Sequence, residues 1–227
     1  MPYERSVFIN CPFDDEYAPL LKPLLHTLIA IGFEPRIAME RNNAAEVRLD
    51  KIKELIEGSM YSIHDLSRVK SKDSGEYYRF NMPFELGLDL GCRLYHVEAK
   101  HRQKRFLILE AERYSTQKAL SDLSFADCKC HQDESEELIH QLRSWLVENG
   151  VDIASSPSTL WDDFNVFMTE MSNFKMNQGF QQKDINRLPI AEFITFAKQY
   201  YSHGSISELN ERPDQGSFDQ DSPRATL

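Results

Sequence analysis

Apolar and polar positions switch repeatedly between strand-like runs and helical spacing along most of the chain. Ser6 to Phe13 (SVFINCPF) is a short apolar run ending in Asn-Cys-Pro, the pattern of a buried strand running into a tight loop. Behind it, Leu20, Leu21, Leu24, Leu25, Leu28 and Ile29 form a broad apolar face at helical spacing. Asp14 or Asp15 can cap that helix, Pro19 suits its first turn, Pro23 implies a kink or a late start, and Gly32 ends it. Phe33 to Glu40 reads as a second strand, and Pro35 places it at a sheet edge. Leu49, Ile52, Leu55 and Ile56 predict a helix that stops at Gly58. Tyr61 to Ser67, Phe106 to Leu109 and, more weakly, Leu123 to Cys130 read as three further strands. The polar stretches 41–48 and 68–79 read as loops, and 133–150 as a helix with an acidic first turn and a terminating Gly150.

The stretch Asn81 to Gly91 (NMPFELGLDLG) fits both periods. Strict alternation from Phe84 to Gly91 would suit a half-buried strand, but Pro83 and the interior glycines Gly87 and Gly91 oppose one. A helix explains more. Pro83 suits its first position with Met82 or Asn81 at the cap, and Glu85 falls in the first turn with Asp89 one turn behind. Gly87 and Gly91 then share a face open to close approach by a neighbour. Glu85 reads either as a residue placed there by the helix dipole or as a carboxylate projecting into a cleft.

Strands alternating with helices predict an α/β fold: a flavodoxin-like, doubly wound, parallel five-stranded sheet of order 2-1-3-4-5. Ligands bind such sheets outside the carboxyl ends of the strands. The loops to watch are therefore Asn10 to Asp15, Asp65 to Arg79 and the one after the fourth strand. The first holds no glycine, so neither a Rossmann fingerprint nor a P-loop is present. After Pro157 the segments LWDDFNVFMTEMSNF and IAEFITFAKQYY predict two helices, packed on the domain or on a partner chain, whose aromatic residues (Trp161, Phe164, Phe167, Phe193, Phe196) read as core. The expected organisation is an α/β domain over 1–150, a C-terminal helical appendage over 151–204 and a disordered tail over 205–227. No internal repeat is visible.

The chain has 227 residues, 41% hydrophobic and 27% charged, with a formal net charge of -10. That balance argues against binding nucleic acid through bulk electrostatics. The local basic run Lys100 to Arg105 reads as a solvated loop, with phosphate binding as the alternative. No apolar run approaches a membrane span and no signal peptide precedes Val7, which points to a cytoplasmic protein whose four cysteines are reduced. Cys128, Cys130 and His131 stand close together, but no second ligand pair completes a zinc pattern, so no metal is expected.

A strand ending in HDLSR, a polar loop with Asp-Ser-Gly and then FNMPFELGLDLG resembles the nucleoside 2-deoxyribosyltransferase family and the related Toll/interleukin-1 receptor (TIR) domains. VFINCPFDD resembles the transferases' first strand and its Pro-containing loop. The likeness spans Ser6 to Gly150. It implies that Glu85 is the catalytic glutamate and Asp65 the aspartate closing the third strand. Asn81-Met82-Pro83-Phe84 stands where TIR domains carry a tryptophan and a cysteine, and the SPRATL tail shows no counterpart of the transferases' C-terminal carboxylate.

The implied reaction is cleavage of an N-glycosidic bond through an oxocarbenium-like transition state, with Glu85 beneath the anomeric carbon. Asp65 would hold sugar hydroxyls. Asn10, Phe13 and Asp14 would line the opposite wall, with Phe13 stacking on the base, and Asn81 would be a further substrate-binding residue. Arg48 and Arg68 are candidates for phosphate contact if the substrate is a dinucleotide. His64, pointing to the other side of its strand from Asp65, is expected to face core or helix. The expectation is an N-glycosidase acting on NAD or a related nucleotide, as substrate rather than cofactor, assembling as a homo-oligomer and, by analogy with prokaryotic TIR-like domains, serving antiviral defence. The alternatives are a non-catalytic nucleotide-binding or self-assembling module and a genuine deoxyribosyltransferase.

Overall fold

The structure is a computed structural model that describes residues 2–40, 45–68, 80–123 and 127–203. Most of the two loops read at 41–48 and 68–79, the middle of the expected fifth strand and the expected disordered tail lie outside the described residues. The strands are β1 (Ser6–Asn10), β2 (Glu34–Ile37), β3 (Tyr61–Asp65), β4 (Arg105–Glu110) and β5 (Lys129–Cys130). The helices are α1 (Ala18–Ala30), α2 (Arg48–Glu57), α3 (Asn81–Tyr95), α4 (Ser115–Ala119), α5 (Ser135–Glu148), α6 (Pro157–Asn177), α7 (Gln182–Asn186) and α8 (Ile190–His203). All strand pairs are parallel and the order is β2-β1-β3-β4-β5, the expected flavodoxin-like arrangement.

Pleating sorts the side chains onto two faces. Val7, Ile9, Tyr61, Ile63, Leu107 and Leu109 join the apolar cluster built with α1 and α5. Phe8 packs with Ile52, Leu55 and Ile56 of α2, while Ile108 packs with Met82 and Leu86 of α3. β2 is an edge strand, so the N–H that Pro35 lacks costs no ladder bond on its outer side. β5 is shorter than expected, only two residues paired with Leu109 and Glu110.

Helix α1 runs through Pro23 instead of breaking there. A proline leaves the carbonyl four residues earlier without its helical donor. Here that carbonyl belongs to Pro19, and the Ser135 hydroxyl donates to it at 2.9 Å. The cap is Tyr17 rather than an aspartate; the Asp14 carboxylate accepts the Tyr17 N–H one turn before the helix. Gly32 and Gly150 follow α1 and α5 with φ of 80° and 83°, the left-handed geometry that ends helices.

The helices after Gly150 pack on the domain itself. Leu160, Phe167, Met171, Phe193 and Ala197 belong to the same apolar cluster as Val7 and Ile9. Tyr201 Oη lies 2.9 Å from His26 Nε2 on α1, and Lys198 pairs with Glu34 of β2. One core therefore runs from the sheet through α1 into α6 and α8. Among the described residues no helix is long and apolar enough to cross a membrane.

Candidate functional site

The ambiguous stretch Asn81 to Gly91 is helical, but the helix begins earlier than Pro83. Its first residue is Asn81, with Phe80 as the cap. Glu85 therefore stands in the second turn, where the helix N-terminus stabilises a charge less than in the first. Among the described residues nothing lies within 4 Å of where a Cβ would sit on Gly87 or Gly91, so none of them makes the expected close approach.

Glu85 is 5% exposed. One described cation reaches it: Arg48, the first residue of α2, places Nη2 3.3 Å from Oε1. The arginine side chain is itself 60% exposed. Burial pushes the Glu85 carboxyl above its ordinary range, the bond to Arg48 and its charge pull the other way, His64 adds a smaller pull, and burial prevails. The sequence assigned Glu85 and Arg48 separately, one to sugar and one to phosphate; the structure brings them together.

Beneath Glu85 lies a buried polar chain. Asn10 Nδ2 donates to the Met82 carbonyl at 2.8 Å and lies 3.0 Å from His64 Nδ1. His64 Nε2 lies 3.1 Å from Asp89 Oδ2, and Lys104 Nζ lies 3.2 Å from Asp89 Oδ1. Lys104 also donates to the carbonyls of Ile56 and Ser59. His64, Asp89 and Lys104 are fully buried. His64 thus faces helix α3, as its position in the strand predicted. Asn10 ties β1, β3 and the start of α3 together rather than lining an open wall. Burial works to raise the Asp89 carboxyl, but the bond to and charge of His64, with Lys104, hold it below its ordinary range.

Asp65 sits on the other face of the sheet and is fully buried. Its Oδ2 accepts the Tyr17 hydroxyl at 2.6 Å and lies 3.1 Å from His131 Nε2, while Oδ1 accepts the Ser67 N–H at 2.8 Å. Burial opposes ionisation, yet His131, Ser67 and Tyr17 together hold the carboxyl below its usual range. In this arrangement Asp65 clasps β3 to the start of α1 and to the end of β5, and it presents no exposed oxygen to a sugar.

The other expected residues are scattered in role. Phe13 is half-buried against the main core, and Asp14 shapes the turn into α1. Arg68 lies 3.7 Å from Glu16. Asn81 is exposed at the start of α3. Cys11 is buried within the fields of Asp65, Glu85 and Asp14, which, after burial itself, push its thiol far up.

Tyr17 and Glu110 escaped the reading of the sequence, and His131 was read there only beside Cys128 and Cys130, in an incomplete zinc pattern. Glu110, at the carboxyl end of β4, accepts from the N–H of Tyr114 at 2.6 Å, the N–H of Thr116 at 3.0 Å and the Ser115 hydroxyl at 3.2 Å. It fixes the loop after β4, where Tyr114 stands at φ 65°. A carboxylate at a strand's carboxyl end just before a Ser-Thr pair was the available signal. Comparison of the chain with family models, curated proteins and solved structures returns no match.

Proposed function

We propose that the protein is an N-glycosidase that cleaves the bond between ribose and base in NAD or a related nucleotide, with Glu85 as the catalytic carboxylate. The observation that carries this reading is Glu85 itself. It is a buried carboxylate on the first turns of the helix after β3, at the ligand edge of a doubly wound sheet, with an exposed arginine as its counter-charge.

The chemistry needs little else. A pyridinium base leaves NAD as neutral nicotinamide and requires no proton, so the demand is for negative charge beside the developing oxocarbenium ion. Ionised Glu85 supplies it, by electrostatics or by a transient bond to the anomeric carbon that water then breaks. Arg48 is the natural phosphate contact, since a guanidinium pairs with phosphate as readily as with carboxylate. Its movement onto a phosphate would release Glu85 toward the sugar. Asp65, Tyr17 and His131 act as positioning residues that hold the loop after β1 against the ends of β3 and β5. The same assignments allow a second reading, a module that binds a nucleotide without turnover, and deoxyribosyl transfer between bases is a third.

The test is incubation of purified protein with a panel of nucleosides and dinucleotides, products being separated by chromatography and identified by mass. Free base with ribosyl product supports hydrolysis. Base exchange supports transfer. Saturable binding without product supports the module and overturns the proposal.

A further inference from the structure

At the opposite, amino-terminal edge of the sheet, a short 3-10 turn (Ala99–Gln103) joins α3 to β4. It brings His96, Glu98 and His101 together; among the described residues this is a group of ligating side chains with one donor atom each, all within 4.8 Å of one another. The two imidazole rings are 4.1 Å apart, centroid to centroid. His101 is 1% exposed, and its Nδ1 is buried with no hydrogen-bond partner. The Tyr3 ring meets His101 edge-on at 5.6 Å, and the buried Tyr3 hydroxyl also lacks a partner. Unpaired buried polar atoms are rare and call for a partner such as an ion or water.

The geometry points to a divalent transition-metal site at His96, Glu98 and His101, with Zn²⁺ as the fitting ion. Two imidazoles and a carboxylate are a donor set that suits zinc and its first-row neighbours, whereas Mg²⁺ and Ca²⁺ prefer oxygen ligands alone. Tetrahedral bonds of about 2.1 Å place donor atoms roughly 3.4 Å apart, so the cluster must tighten on binding. Glu98 is the ligand free to move. Its carboxylate is exposed and held by Lys100 at 2.7 Å, a surface pair that contributes little. The fourth position would take water, with Glu57, whose Oε1 is 3.9 Å from His96 Nε2, close by. The bound ion would clasp the carboxyl end of α3 to the turn that starts β4, far along α3 from Glu85. The site is therefore independent of the proposed reaction.

The experiment titrates untagged, chelator-stripped full-length protein with zinc chloride by calorimetry, alongside magnesium chloride, and follows thermal unfolding in parallel. One equivalent of zinc should bind, magnesium should not, and zinc should raise the melting temperature. Glu98→Ala, at an exposed position, should retain the fold and weaken zinc binding by at least about tenfold. His96→Ala should abolish the thermal shift. Absence of binding at micromolar zinc overturns the site, as does binding undiminished in both variants, which would place the metal on Cys128 and Cys130 instead.

Discussion

Glu85 carries two opposed influences, and their balance can be read from pH. Burial raises its pKa above the ordinary 4.5, and Arg48 lowers it. If ionised Glu85 performs the reaction, activity falls as pH drops through that raised value. The acid limb of kcat/KM should therefore lie above pH 4.5, and Arg48→Ala should move it further up. An acid limb that stays in place in the variant would separate Arg48 from Glu85. Asp65 differs from Glu85 in kind. It is a carboxylate whose lowered pKa comes from protein partners, so Asp65→Asn should damage stability as well as turnover, whereas Glu85→Gln should damage turnover alone.

At the scale of elements, α3 is held to the sheet by a buried ion pair as well as by apolar contacts. Lys104, just before β4, and Asp89 in the middle of α3 are both fully buried. Replacing Asp89 by Asn leaves Lys104 with a buried, uncompensated charge and should cost about 3–5 kcal/mol. Adding Lys104→Met to that variant should restore much of the loss, measured by urea unfolding; additive losses would show that the pair is not coupled. The strands and most helices could be read from the sequence because burial on two faces demands apolar runs and one-sided burial demands helical spacing. Lys104 could not. It stands in a basic run that reads as solvent-facing, and the partners that explain its burial, Asp89 and the Ile56 and Ser59 carbonyls, lie elsewhere in the sequence. For the same reason Glu85 was legible as a carboxylate near the start of the helix after β3, though one turn too early, while its partnership with Arg48 was not. The start of α3 was misplaced because Pro83 is compatible with any position of a first turn, and the polar sequence before it gives no sharper signal.

For the molecule as a whole, the apolar cluster that unites sheet, α1, α6 and α8 makes the C-terminal helices part of one folding unit. A chain ending at Gly150 would expose the face of α1 that carries His26 and should lose its cooperative thermal transition. His26 also makes the assembly acid-sensitive. Burial lowers its pKa from 6.5 to about 4. The unfolded chain takes up the proton at 6.5 and the folded one resists it, so stability falls as pH drops from 6.5 towards 4, by up to about 3 kcal/mol. His26→Phe should flatten that slope in denaturant unfolding; an unchanged slope would assign the acid sensitivity elsewhere. Asp65 and Asp89, with lowered pKa values, add their own loss only below the ordinary carboxylate range.

The central claim is that Glu85 breaks a bond rather than merely completing a helix. The direct measurement is nicotinamide release from NAD by wild type and by Glu85→Gln, the two compared for fold by circular dichroism. The account predicts release by the wild type and none by a folded variant. Equal release from both, or release from neither, would contradict it.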